Sequence, residues 1–219
     1  LLHYWINLFG DSEFAMRFLS TVYGFLGIFM IYKVGSIIFN KNIGVLSSFL
    51  LAWSLYHIKY SQDLRPYTLM ILLTLCSVYF FIKILSKPGF VVSISYIIFS
   101  SLLMYTHNHA LFIIIAQNIY IITLFLLSKG EYRFNFIKWI LLQVILVISY
   151  LPWLAVLINQ FLQVQTGLGV SWIPKPSIRT IIETFGVYSS YSSLLLLLFS
   201  ILFLFSIVNH EKIKGNFNW

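Results

Sequence analysis

"PGFVVSISYIIFSSLLMYTHNHALFIIIAQNIYIITLFLLS", residues 88–128, contains no Asp, Glu, Lys or Arg. A helix that crosses a bilayer needs about 20 consecutive apolar residues. The run is long enough for two such helices, and its polar midpoint "YTHNHA" (105–110) reads as the turn between them. This stretch decides the fold class, because a helical hairpin of such composition is at home only in a membrane.

The same pattern extends outward in both directions. Residues 139–174 and 184–210 are also free of Asp, Glu, Lys and Arg. Across its 219 residues the chain is 60% hydrophobic, 19% aromatic and only 9% charged. A soluble domain carries about 25% charge, so this chain lacks the polar groups to cover its surface in water. The reading is an all-α, polytopic integral membrane protein of one domain (1–219). The apolar runs predict about seven spans, at 18–39, 43–56, 66–85, 91–106, 110–128, 136–158 and 191–208. The second is short and is expected to be tilted or covered by its neighbours. A polar connection at 159–190 holds "QVQTGLGVSWIPKPS"; its glycines and Pro174/Pro176 predict a loop, followed by a surface helix over 177–185. The chain opens on "LLHYWINLFG" without an initiating Met and stops at "GNFNW", so it reads as a piece truncated at both ends.

Net charge is +8, yet the basic residues are scattered among apolar stretches and form no stripe. They read as flanks of membrane helices, not as a nucleic-acid surface. Alternate connections carry Lys33, Lys41, Lys83, Lys87, Lys129, Arg133, Lys138, Lys212 and Lys214 on one side, and Arg17, Lys59, Arg65, Lys175 and Arg179 on the other. The richer side is expected to be cytoplasmic. The outer side then holds the amino-terminal segment, the "YTHNHA" turn and the 159–190 loop. The single Cys76, mid-helix, excludes an intramolecular disulfide and reads as packing.

Polarity concentrates at "IKYSQDLRPYTLM" (58–70), on the expected outer side. Pro66 suits a first helical turn, where its missing N–H would be unpaired anyway. A helix start with Arg65 beside it and Lys59 near is a receptor for an anion, phosphate above all. Asp63 would orient Arg65 or act on a substrate hydroxyl, and Gln62 and Tyr67 would hydrogen-bond a polar ligand. The same residues also read as an interfacial cluster, with Asp63 neutralising Arg65 and Tyr60/Tyr67 in an aromatic belt. His107 and His109 read as polar surface or as contacts to a polar substrate. No carboxylate or cysteine accompanies them locally, so no metal site is expected.

Four segments, "LFGDSEFAMRFLS" (8–20), "IIFNKNIGVLSSFLLA" (37–52), "HIKYSQDLRPYTL" (57–69) and "YTHNHALF" (105–112), carry a resemblance. In order and spacing, through about Gln117, the chain resembles GT-C type glycosyltransferases that use polyprenyl-phosphate sugars, of the glycosyltransferase 39, protein mannosyltransferase and lipid A aminoarabinose transferase kind. Beyond that point the likeness is one of hydropathy. The resemblance implies a multi-pass protein of the cell membrane, serving the cell envelope. It would transfer a hexose or pentose from a lipid-phosphate donor, on the extracytoplasmic face, to a protein, lipid or glycan. In that family a carboxylate in the first outer loop is the base. That loop is expected upstream of Leu1; Asp11 and Glu13 do not match its position, which leaves Asp63 as a weak substitute. The Arg65 segment matches one facing the donor. No Gly-rich phosphate loop is present, and no cofactor is expected beyond the donor substrate itself. A transporter or flippase and a non-catalytic scaffold are the rival readings.

Overall fold

The computed structural model describes residues 2–127, 136–165, 177–189 and 192–208, and the account below is of these. They form helices α1 (Leu2–Phe9), α2 (Glu13–Ile38), α3 (Lys41–Ala52), α4 (Leu55–Ser61), α5 (Tyr67–Ser86), α6 (Phe90–Thr106), α7 (Ala110–Leu127), α8 (Phe136–Gln165), α9 (Ile178–Tyr188) and α10 (Ser193–Val208). The fold is all-helical among the described residues. Three helices, Glu13–Ile38, Tyr67–Ser86 and Phe136–Gln163, are long and apolar enough to cross a membrane. Lys41–Ala52, Phe90–Thr106 and Ala110–Leu126 are apolar but shorter. At about 1.5 Å per residue, a helix the length of α3 spans roughly 18 Å, well short of the ~30 Å hydrocarbon core.

Local signals set most boundaries. The side chains of Ser12, Asn40 and Ser54 accept the main-chain N–H of Ala15, Ile43 and His57 and so begin α2, α3 and α4. Gly10 takes a positive φ of 84° in the turn from α1 to α2, a conformation open to glycine. Three helices depart from expectation. α1 stands as a separate element, and the polar stretch after residue 54 is not all loop: α4 takes it as far as Ser61. α8 continues to Gln165, into the stretch expected as a connection from residue 159. Residues 166–176 and 190 of that stretch lie outside the described residues, as do Lys129, Arg133, Lys175, Lys212 and Lys214 of the charge count.

The chain divides into two compact units, Leu1–Gln163 and Val164–Trp219. In the first, α2, α5, α6, α7 and α8 share the interior. One apolar cluster joins Val34, Phe81, Ile82, Tyr96, Ile121, Trp139 and Leu146; another joins Leu73, Leu103, Met104, Ala110 and Tyr150. Between them runs a chain of hydrogen bonds that hydropathy does not announce. Trp139 Nε1 donates to Asn118 Oδ1 (3.0 Å), and Asn118 Nδ2 donates to Gln143 Oε1 (3.0 Å). Gln143 Nε2 donates to the Tyr96 hydroxyl (3.3 Å), which donates to Gln117 Oε1 (2.8 Å). Gln117 Nε2 then donates to Ser77 Oγ (3.1 Å), itself 2.8 Å from Ser100 Oγ. Each amide uses one end to receive and the other to give, so four helices are tied at one level. An unpaired amide in hydrocarbon would be costly.

Outward, the same helices present Phe25, Phe29, Phe125, Leu126 and Ile137, all more than half exposed. An apolar exterior around a partly polar interior is the arrangement a lipid solvent selects. Pro152 interrupts the ladder of α8, and beside it the Tyr105 hydroxyl donates to the Ser149 carbonyl (2.6 Å). In the second unit, Ser177 and Thr180 close a capping box on α9, and Arg179 pairs with Glu183 one turn on (2.8 Å).

Candidate functional site

The residues singled out in the sequence meet at one end of the first unit. α4 ends at Ser61; the Gln62 and Asp63 N–H groups return to the carbonyls of Lys59 (3.1 Å) and Tyr60 (3.4 Å). The chain then bends through Leu64 and Arg65 to Pro66, and α5 starts at Tyr67. No side chain caps that start. The N–H groups of the first turn thus have no side-chain acceptor, as an anion-binding helix start requires.

Arg65 stands beside them with its side chain 62% exposed. The Tyr67 hydroxyl first, and the Asp63 carboxylate next, raise its pKa above the ordinary value. Asp63 Oδ2 lies 3.6 Å from Arg65 Nε, close enough to orient the guanidinium but too long for a strong hydrogen bond. Leu64, Arg65, Pro66 and Leu69 form one wall of a cavity of about 230 Å³. Leu2 of α1 and Met16, Leu19, Ser20 and Tyr23 of α2 form the others. Its walls are largely apolar, with Arg65 the charged residue among them. Such a shape suits a ligand with a charged head and a hydrocarbon chain.

The other expected residues fall around this point. Tyr67 packs edge-on against Tyr60 (4.7 Å between ring centres) and lies 6.2 Å from the His107 ring. The α6–α7 turn thus shares this end of the bundle with Arg65. His107 Nδ1 accepts both the main-chain N–H of His109 (3.2 Å) and His109 Nδ1 (2.8 Å), which makes it the unprotonated nitrogen of the pair. Burial first, and the neighbouring His109 second, lower the pKa of His107. Asn108 donates to Gln160 of α8 (2.9 Å). Gln62 is exposed, with its carbonyl engaged by Arg17 Nη1 (3.2 Å). Lys59 is not drawn into the cavity wall; its ammonium sits 6.0 Å from the Tyr60 ring centre.

Two features at this end escaped the sequence. Arg17, counted only as a topological charge, reaches the bend at Gln62 while its other nitrogen pairs with Glu13. His57 is buried against α2, its Nε2 donating to the Gly24 carbonyl at 3.1 Å. Ser54 before "LYHIKYS" was the available signal for a capped helix there.

Residues 1–157 match the family model described as dolichyl-phosphate-mannose-protein mannosyltransferase. The match takes in α1 to α7 and most of α8, including the residues of the site above apart from Gln160, and runs well past Gln117. No curated protein and no solved structure matches the chain.

Proposed function

The chain belongs to the dolichyl-phosphate-mannose-protein mannosyltransferase family, and from that premise we propose that Arg65 and the start of α5 bind the phosphate of a polyprenyl-phosphate-linked sugar. The protein is then a multi-pass membrane glycosyltransferase working at the extracytoplasmic boundary. Its acceptor is a hydroxyl or amine on a protein, lipid or glycan. The observation that carries this reading is the placement of Arg65 on the wall of an apolar cavity, next to an uncapped helix N-terminus.

The chemistry follows from the charges. As the bond between the anomeric carbon and the phosphate oxygen breaks, the electron pair leaves with the phosphate. A guanidinium and the N–H groups of a helix start stabilise that growing charge. The acceptor attacks the anomeric carbon and gives its proton to a carboxylate. Asp63 is held toward Arg65, so its role is to orient the guanidinium. His107, Tyr67 and Gln62 line the approach for polar groups of the sugar or acceptor.

In the full-length protein, Arg65→Ala should abolish sugar transfer from a polyprenyl-phosphate donor while leaving membrane insertion unchanged. Arg65→Lys should recover only part of the rate, because an ammonium lacks the planar fork that grips phosphate oxygens. Transfer at the normal rate in Arg65→Ala would reject the assignment. Lost translocation of the lipid-linked sugar with intact transfer would favour the transporter reading.

A further inference from the structure

The bend at 62–65 has no secondary structure of its own to hold it. α4 is short, and the last carbonyls of a helix have no partners within it. Two donors from α2 take them. Arg17 Nη1 donates to the Gln62 carbonyl (3.2 Å), and the Thr21 hydroxyl donates to the Ser61 carbonyl (3.0 Å), the nearer of its two acceptors. The second nitrogen of Arg17 is held by Glu13, so the guanidinium is oriented from both sides. One turn further along the same face comes Gly24, where any Cβ would lie 2.3 Å from Ser61 Oγ. Arg17, Thr21 and Gly24 thus form one stripe of α2, and its whole length is applied to the end of α4.

We propose that Arg17 and Thr21 are positioning residues for Arg65: by gripping the Gln62 and Ser61 carbonyls they fix the bend that delivers the guanidinium to the cavity. This rests on the assignment of Arg65 to the donor phosphate. The guanidinium of Arg17 is already committed to Glu13 and Gln62, whereas that of Arg65 is largely exposed and has Asp63 at the longer distance of 3.6 Å. The bend connects the two, and ordering its residues in advance spares the ligand that entropic cost on binding.

Binding of farnesyl phosphate to the full-length protein in detergent tests this without knowledge of sugar or acceptor. Arg17→Ala and Thr21→Val should each raise the Kd, by about tenfold for the arginine, the size of one lost charge-assisted hydrogen bond. Thr21→Ser keeps the hydroxyl and should bind as the parent does. In an Arg65→Ala background, Arg17→Ala should add nothing, because residues acting through one group are not additive. If Arg17→Ala weakens binding equally with and without Arg65, or not at all while Arg65→Ala does, the positioning role is overturned and the donor site stands. If Arg65→Ala binds farnesyl phosphate like the parent, the donor site itself is overturned. Should Arg17→Ala fail to fold, the Thr21→Val and Thr21→Ser pair decides by the same comparison.

Discussion

A single side chain at this end of the molecule reports on proton concentration. His107 must keep Nδ1 bare to accept both His109 groups, and its pKa is lowered by burial and by its neighbour. His57 is lowered in the same direction, by burial first, with the Gly24 carbonyl opposing. For a histidine whose folded pKa lies below its unfolded value, the unfolded chain takes up protons first as pH falls. The associated stability is therefore intact above about pH 6.5, the ordinary histidine value, and declines below it. The melting temperature in detergent should fall between pH 7 and pH 5, and by less in His107→Asn, which keeps a side-chain acceptor but cannot protonate. An identical pH profile in that variant would remove His107 from the account.

Helix-level packing depends on residues that have almost nothing to pack. Where α2 crosses α3, a Cβ at Gly44 would stand 2.1 Å from Ser36 Oγ and 2.7 Å from the Tyr32 carbonyl. The second of these is main chain and cannot rotate away. Backbones meet here because small residues let them, which is how helices associate where lipid is as apolar as leucine. Gly44→Ala should destabilise the protein by about 1–3 kcal/mol, the usual penalty of overpacking, seen as a lower melting temperature in detergent. Gly89→Ala is the matched control, since nothing lies within 4 Å of its added Cβ. Equal effects of the two substitutions would refute the close-crossing account. The α2–α4 contact at Gly24 repeats the logic, and there it also sets the height of the bend that carries Arg65.

At the scale of the first unit, antiparallel helices sort the connections between two ends. Arg17, Gln62, Tyr67, His107, Asn108 and Gln160 meet at one of them. Gly89 belongs to the opposite connection, between α5 and α6. Under the proposed topology, Asp11→Cys should react with a membrane-impermeant thiol reagent added outside intact cells, and Gly89→Cys only after permeabilisation. The native Cys76 is buried and should stay silent. The reverse labelling pattern would invert the protein and place the Arg65 cavity at the cytoplasmic boundary.

Much of this architecture was legible from residue order alone. The apolar runs placed α5, α6, α7 and α10 close to their observed bounds, and the end of α2 and the start of α8, because a backbone in hydrocarbon has little choice but to form helices. Pro66 marked the start of α5, and "THNH" marked the α6–α7 turn, since both are local signals. Four short motifs sufficed for the family. The separate α4 was not legible, because its polar residues look like a loop until Ser54 caps them and α2 covers His57. Nor was the grip of Arg17 on Gln62, the amide chain from Trp139 to Ser100, or the cavity that Arg65 borders. Each of these joins residues far apart in the chain, through hydrogen bonds and close contacts that exist only once the helices are packed. Composition and periodicity chose the solvent and the helices; the crossing of α2 with α4 and α5 decided where the charge would stand.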